Sequence, residues 1–343
     1  IGLTEWKNMK NNKRATINDV AEVARVSITT VSRYVNGKYG KMSAKTRQKI
    51  QQAIKDVDYH VNRQAQMLKR QNSHLIGVVV ADVENFFSSL LFKGADQVLS
   101  DIGFQIILMN SNNSQLKEQR QIERLLELQV DGIILQPMGQ LAVDYEFLKK
   151  QNVPTVIVDR KIEPEIWPEI VTDNYECSKK LGELMLQMQY PQILILSEKI
   201  DENTARQDRY KALDDLQKNH SFNLGLIEIK VTSSDDDIFV SLKNRTNNFK
   251  IKTAIYALKG PLLLRLMRVL TQRHISVPDQ VGLAAFDDWE WAKLTHPLIT
   301  TIQQNPKLIG STAANKLLEE IQESETQASV ITVKSQLMVG HSL

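Results

Sequence analysis

The chain has 343 residues, 42% hydrophobic and 24% charged, with a formal net charge of +3. That length allows two or three domains with cores of their own, and no apolar run approaches the roughly 20 residues of a membrane-spanning helix. The single cysteine, Cys177, excludes an intrachain disulfide and points to a reducing, cytoplasmic setting.

Charge is unevenly placed. Residues 1–72 carry 15 Lys and Arg against 5 Asp and Glu, which leaves 28 against 35 for the rest. A basic head on an acidic body is the footprint of a phosphate-binding module. Residues 1–13 read as a disordered leader without an apolar secretory core, with Met9 as a candidate natural start. From Thr16, TINDVAEVARVSITTVSRYVN sets Ile17, Val20, Ala21 and Ala24 at helical spacing. Asp19 lies in the first turn, where a carboxylate suits the helix dipole. Arg25 and Val26 break the pattern, and Ser27 is placed to cap a second helix. That helix turns Val31 and Val35 inward and leaves Ile28, Thr29, Ser32 and Arg33 outward. Two short helices with a tight joint describe a helix-turn-helix. A ligand-free helical hairpin has the same periodicity, and the positive charge favours the DNA reading.

After the loop GKYGKM, Ser43 opens a third helix. Its Ile50, Ala53, Ile54 and Val57 are spaced to close a small core against Val20, Val31 and Val35. The helix-turn-helix domain is assigned to residues 14–60. Residues 61–72 form a hinge or linker whose NRQAQMLK stretch is too short to be a stable helix alone.

From residue 73 to 343 the grammar changes to α/β. LIGVVVA, FQIILMN, DGIIL, PTVIV, ILILS, LIEIKV, TAIYAL and VGLAAF are short apolar runs separated by amphipathic helical stretches. Such runs form parallel sheets covered on both faces. Eight are too many for one small sheet, so two Rossmann-like subdomains are expected, with a ligand cleft at the carboxyl ends of the strands. The helix from Ser88 to Ile102 has one core face. The residues after Ser335 carry no leucine heptads, so a tetramer built that way is not expected.

TINDVAEVARVSITTVSRYVN, SAKTR, Tyr59 and NRQAQMLKR together resemble the DNA-binding head of the LacI/GalR family of bacterial transcription regulators. The loop before Ser43 is similar to that of the sugar-acid (2-keto-3-deoxygluconate) branch. The resemblance runs, more loosely, to about Gln304. It implies an all-α head on a periplasmic-binding-protein-like effector domain, with double-stranded palindromic DNA, a sugar-type effector and a second copy of the chain as partners. It also implies that Ile28, Thr29 and Arg33 face base edges, an arginine fork being suited to guanine. Thr16, Ser27, Thr30, Ser32 and Asn36 would bind phosphate, which sets register without reading sequence. In the hinge, Asn62 and Ala65 would lie in the minor groove and Leu68 would wedge between base pairs. The family commonly has proline where this chain has Val61.

In the body, the resemblance nominates cleft residues at strand ends: Asp82 and Phe87 in DVENFF, Gln136, Arg160 beside Asp159, the pair Asp173-Asn174, and Asn203, Arg206 and Arg209 in ENTARQDRYKAL. Arg209 falls in register with the family's effector-binding arginine, although Ala212 replaces the following glycine, so Arg206 stays a rival. Asp287 matches the acid that holds sugar hydroxyls, and Trp289 either walls the cleft or plugs the subdomain seam. Phe87 either stacks on a sugar ring or fills the same seam. Lys259, in ALKGP, stands where the family has a sugar-binding asparagine. A lysine in a partly dry cleft wants an anion, so the expected effector is a sugar acid or sugar phosphate and the cleft is expected to be basic. The chain is expected to cross between subdomains near Arg160, Gln303 and Ala328.

No enzyme signature stands beside these. The six histidines are scattered, with no metal spacing, P-loop, G-x-G-x-x-G or G-x-S-x-G. Neither a cofactor nor a metal is expected. The SSDDD run at 233–237 reads as a helix cap before a cation site. The reading is a transcriptional repressor controlled by a small molecule. Two alternatives remain open: a catabolite-control regulator that takes a phosphocarrier protein as co-repressor, and a sugar-binding protein with an incidental basic N-terminus.

Overall fold

A computed structural model describes residues 15–40, 42–60, 73–230, 232–287, 289, 291–322 and 328–343. The expected leader and the hinge residues Asn62, Ala65 and Leu68 lie outside the described residues. The chain divides into two units, Ile1–Asn72 and Ser73–Leu343.

The first unit holds α1 (Ile17–Ala24), α2 (Ile28–Val35) and α3 (Ala44–Asp56). The Thr16 N–H and hydroxyl both donate to the Asp19 carboxylate, at 2.7 and 2.8 Å, so Asp19 closes the first turn as well as facing the dipole. The joint turns on Arg25, held left-handed at φ +52°. The Val26 N–H then reaches the Ala21 carbonyl at 3.0 Å, a reversal more often given to glycine. Ser27 and Ser43 cap α2 and α3 by accepting from the Thr30 and Thr46 N–H groups at 3.2 and 3.1 Å. Val20, Val31 and Ile50 are wholly buried among Ala21, Ala24, Ala53 and Val57. A core of this size contributes only a few kcal/mol.

The second unit contains β1 (Leu75–Val80), α4 (Phe86–Leu99), β2 (Gln105–Asn110), α5 (Gln115–Glu127), β3 (Gly132–Leu135), α6 (Glu146–Lys149), β4 (Thr155–Val158), β5 (Glu169–Thr172) and α7 (Asn174–Gln187). It continues through β6 (Gln192–Ser197), α8 (Thr204–Asn219), β7 (Asn223–Glu228), α9 (Asp235–Arg245), β8 (Thr253–Ala257) and α10 (Gly260–Gln272). It closes with β9 (Val281–Phe286), β10 (Thr300–Gln303), α11 (Pro306–Gln322), β11 (Val330–Val333) and β12 (Gln336–Met338).

The strands form two six-stranded sheets, ordered β11-β5-β4-β3-β1-β2 and β12-β10-β9-β8-β6-β7. Pairing is parallel throughout except between β10 and β12. In the first lobe α4 and α11 cover one face, burying Leu91, Ile309 and Leu317 against Ile76, Val78 and Val158. α5 covers the other with Ile122 and Leu125. In the second lobe α7 and α8 cover one face, and α9 and α10 the other. All eight apolar runs contribute strands.

The lobe crossings need correcting at two places. They fall between β5 and α7 at Thr172–Asn174, between β10 and α11 at Gln303–Pro306, and between β11 and β12 at Val333–Gln336. The expectation near Gln303 agrees, whereas those near Arg160 and Ala328 come too early. The reason is that EIVT (β5) and VITV (β11) add strands at the edge of the first sheet before the chain leaves it. The crossings are tied together, because Asp173 accepts from the Ser335 N–H and hydroxyl at 2.8 and 2.6 Å.

Candidate nucleic-acid interface and ligand cleft

On the head, the outward face of α2 presents Ile28, half exposed, with Thr29 and Arg33 exposed beside it. An apolar side chain of this size left in water, next to a hydroxyl and a guanidinium, suits a groove edge with a methyl group and a purine. Thr16, Ser27 and Thr30 sit at the starts of α1 and α2, where backbone N–H groups favour anions. Their hydroxyls are already engaged locally, Ser27 with Thr30 at 2.8 Å. Ser32 is half-buried, and Asn36 donates its amide to the Ser32 carbonyl at 2.7 Å, locking the end of α2. In the following loop, Tyr39 packs edge-on to Tyr34, with ring centres 5.7 Å apart, and lies under the Arg47 guanidinium at 4.9 Å.

In the body, strand carboxyl ends from both sheets line a cavity of about 460 Å³. That volume suits a small ligand. Asp82, Phe87, Gln136, Arg160, Asn203, Arg206, Arg209, Lys259 and Asp287 all line it. Trp289 is not among the lining residues; it packs on Phe86 and Phe87, with ring centres 6.0 and 6.4 Å away, and so plugs the seam between lobes. Phe87 is 2% exposed and belongs to the core of the first lobe, so it offers little ring face to a ligand. Asn203 caps α8 by accepting from the Arg206 N–H at 3.0 Å.

The first lobe supplies a chain of polar contacts. Gln136 accepts from the Ala81 N–H at 2.8 Å and donates to Asp159 at 2.7 Å. Arg160 donates to the Pro137 carbonyl at 3.0 Å and lies 3.7 Å from Asp159. Its Nε is buried without a hydrogen-bond partner. Behind it Glu118 accepts from the Tyr145 hydroxyl at 2.7 Å, and burial pushes its carboxyl up to about 7. From the second lobe, Arg209 donates to Asn174 at 2.8 Å and to the Leu258 carbonyl at 2.6 Å, with its guanidinium 3.5 Å over the Phe286 ring. Asp287 accepts from Gln304, which accepts in turn from Thr172 at 2.6 Å. Burial raises the Asp287 carboxyl, against the pull of Arg209.

The expected excess of free positive charge is corrected by Glu198. Its two oxygens pair with Lys259 and Arg206. Burial opposes its ionisation, yet Lys259 and Arg206 hold it below the usual carboxylate range. Lys259 therefore neither points to solvent nor stands alone. Glu198 follows ILILS, a run read as a strand, so the strand-end rule applied to its neighbours would have found it. Gln304 was hidden because TTIQ is too short to read as a strand. The SSDDD run is a cap: Ser234 receives and returns bonds with Asp237, and Asp235 holds Arg265 and Arg268 at 2.8 Å each.

Two family descriptions match the sequence: "Bacterial regulatory proteins, lacI family" over residues 16–62 and "Periplasmic binding protein-like domain" over residues 191–343. The HTH-type transcriptional regulator KdgR of Bacillus subtilis is 31% identical over 97% of this chain and 99% of its own. A LacI transcriptional regulator from Lactobacillus brevis is 26% identical with a TM-score of 0.70, covering 77% of this chain and all of that one, 100%. The lac repressor dimer, solved bound to operator and the anti-inducer ONPF, superposes with a TM-score of 0.82 at 23% identity over 96% of this chain and 99% of that one.

Proposed function

We propose, from the premise that this chain belongs to the LacI family of bacterial regulatory proteins, that it is a homodimeric repressor whose DNA grip is set by an acidic sugar in the body's cleft. It is a sequence-specific DNA-binding transcriptional regulator. Ile28, Thr29 and Arg33 read base edges, while the starts of α1 and α2 hold phosphates. A two-fold pair of heads on a palindrome requires a two-fold pair of chains. The hinge residues Asn62, Ala65 and Leu68 act in the minor groove between them. Its setting is the cytoplasm and it carries out no catalysis. Among the described residues no helix is long and apolar enough to cross a membrane.

The observation that carries the effector reading is the composition of the cavity wall. Arg160 from one lobe and Arg206, Arg209 and Lys259 from the other converge on it, while Asp287 and Gln304 offer acceptors and donors for hydroxyls. An anionic polyol fills both demands and bridges the lobes. Domain closure by such a bridge is a common way to convert ligand affinity into a shape change. Lys161 already spans the gap, donating its N–H to Thr204 at 2.9 Å and lying 3.4 Å from Asp208 through its ammonium.

Thermal-shift titration against neutral sugars, sugar acids and sugar phosphates tests this. A ligand at 100 times its Kd adds about 2.7 kcal/mol of stability. An acid such as 2-keto-3-deoxygluconate or gluconate is expected to raise the melting temperature where glucose does not. A response confined to neutral sugars contradicts the reading.

A further inference from the structure

We propose that Glu198 is a built-in counter-anion, standing in the cleft where the anionic group of the effector goes, and that it sets which anions the cleft accepts. The proposal rests on the reading of the effector as an acidic sugar. It starts from topology. β6 and β8 are hydrogen-bonded neighbours in register, with Leu196 beside Ala257. The residues that leave their carboxyl ends, Glu198 and Lys259, therefore emerge side by side at the cavity wall. α8 starts just beyond β6 and brings Arg206 to the same point.

One carboxylate serves two cations here. Lys259 takes one oxygen and Arg206 the other, and Arg206 is steadied by the Lys199 carbonyl at 3.1 Å. The group keeps a net charge of plus one, and Arg160, ion-paired with Asp159 at 3.7 Å, faces the cavity from the opposite lobe. Of the other acids on the wall, Asp159 is held by Gln136 and Arg160, Asp287 accepts from Gln304, Asp82 accepts from the Glu84 N–H at 3.0 Å, and Glu84 itself is exposed at the rim. The side chains of Glu198, Lys259 and Arg206 are 20, 24 and 14% exposed, so a ligand in the cavity can reach them.

A neutral sugar brings nothing to replace the carboxylate, so the trio stays closed and the sugar gains no charge contact. An acid brings its own carboxylate, which must share Lys259 and Arg206 with Glu198 against like-charge repulsion. A small free anion meets the same repulsion with no other contact to offset it. A sugar acid has hydroxyls for Asp287 and Gln304, which line the same cavity, and can therefore prevail. Glu198 thus works as a filter: it lowers affinity for every anion, and only an anion carrying a polyol overcomes it.

The test is Glu198→Gln in the full chain, read by thermal shift and calorimetry with inorganic phosphate, gluconate, 2-keto-3-deoxygluconate and glucose. Phosphate is expected to leave the wild type unmoved and to stabilise E198Q, and acid affinity is expected to rise roughly tenfold with glucose unchanged. Adding Lys259→Met to E198Q is expected to abolish both gains, and Glu198→Asp, which keeps the charge, to stay close to wild type. If E198Q melts lower, phosphate is expected to restore it. Acids that bind the wild type but bind E198Q no more tightly, with phosphate still silent, overturn the filter and leave the acidic-effector reading standing. Acids that bind neither form, with glucose binding both, overturn that reading itself.

Discussion

Arg33 and Lys259 carry the two most specific residue-level expectations. Arg33→Ala is expected to relax operator specificity at a single base position and to cost about 1–3 kcal/mol. Competition binding against single-base operator variants measures it, and a uniform loss at every position would reduce Arg33 to a phosphate contact. Lys259→Asn is expected to weaken an acid far more than a neutral sugar, and equal losses in calorimetry would remove the charge argument. A buried acid gives a pH expectation. Glu169 is wholly buried, accepts from the Ile162 N–H at 2.8 Å, and has its other oxygen unpartnered. Burial pushes its carboxyl up to about 7, with Glu165 and Glu163 adding to the rise and Lys161 opposing it. The unfolded chain releases this proton in the usual carboxylate range, whereas the folded chain holds it to about 7. The folded state is therefore penalised progressively as pH rises through that interval. Glu169→Gln is expected to lessen the fall in melting temperature between pH 5 and 8, the remainder coming from Glu118, which burial also pushes up to about 7, and an unchanged slope would assign the pH dependence to other groups. Lys259 was legible by its departure from a pattern and Glu198 by its place after ILILS, but their pairing was not, because a salt bridge between two strand ends has no spacing in the sequence.

Helix and strand periodicity made most elements legible. The head's three helices follow from apolar spacing and serine caps, and the eight apolar runs each yield a strand. Those missed were β5, β10, β11 and β12, of three or four residues, two of them led by Glu169 or Gln336, where neither length nor hydrophobicity exceeds what a loop can show. Their register is dictated by neighbours already in place. The close approach of α4 and α11 is likewise tertiary. A Cβ on Gly310 would sit 2.0 Å from the Leu91 carbonyl oxygen, and one on Gly94 would sit 2.0 Å from that of Lys307. Gly310→Ala must push the two helices apart and is expected to cost about 1–3 kcal/mol. Urea denaturation measures it, and a variant as stable as wild type would mean that the helices part freely.

For the whole molecule, the division of charge is the property that the sequence stated most plainly. The basic head and acidic body predict DNA binding that is steep in salt and confined to the head. Composition could not supply the coupling between them, which depends on how a ligand moves two lobes whose strands interleave in sequence. Driving a repressor from mostly bound to mostly free takes about 5 kcal/mol of differential affinity, and the cleft's paired charges are the place from which it can come. The most direct measurement is fluorescence anisotropy of a labelled duplex, selected by the full chain from a random pool and titrated across salt with and without the acid found by thermal shift. The account predicts tight binding that falls steeply with salt and changes by orders of magnitude when the acid is added. Binding that is flat in salt, or indifferent to every ligand that stabilises the body, would contradict it.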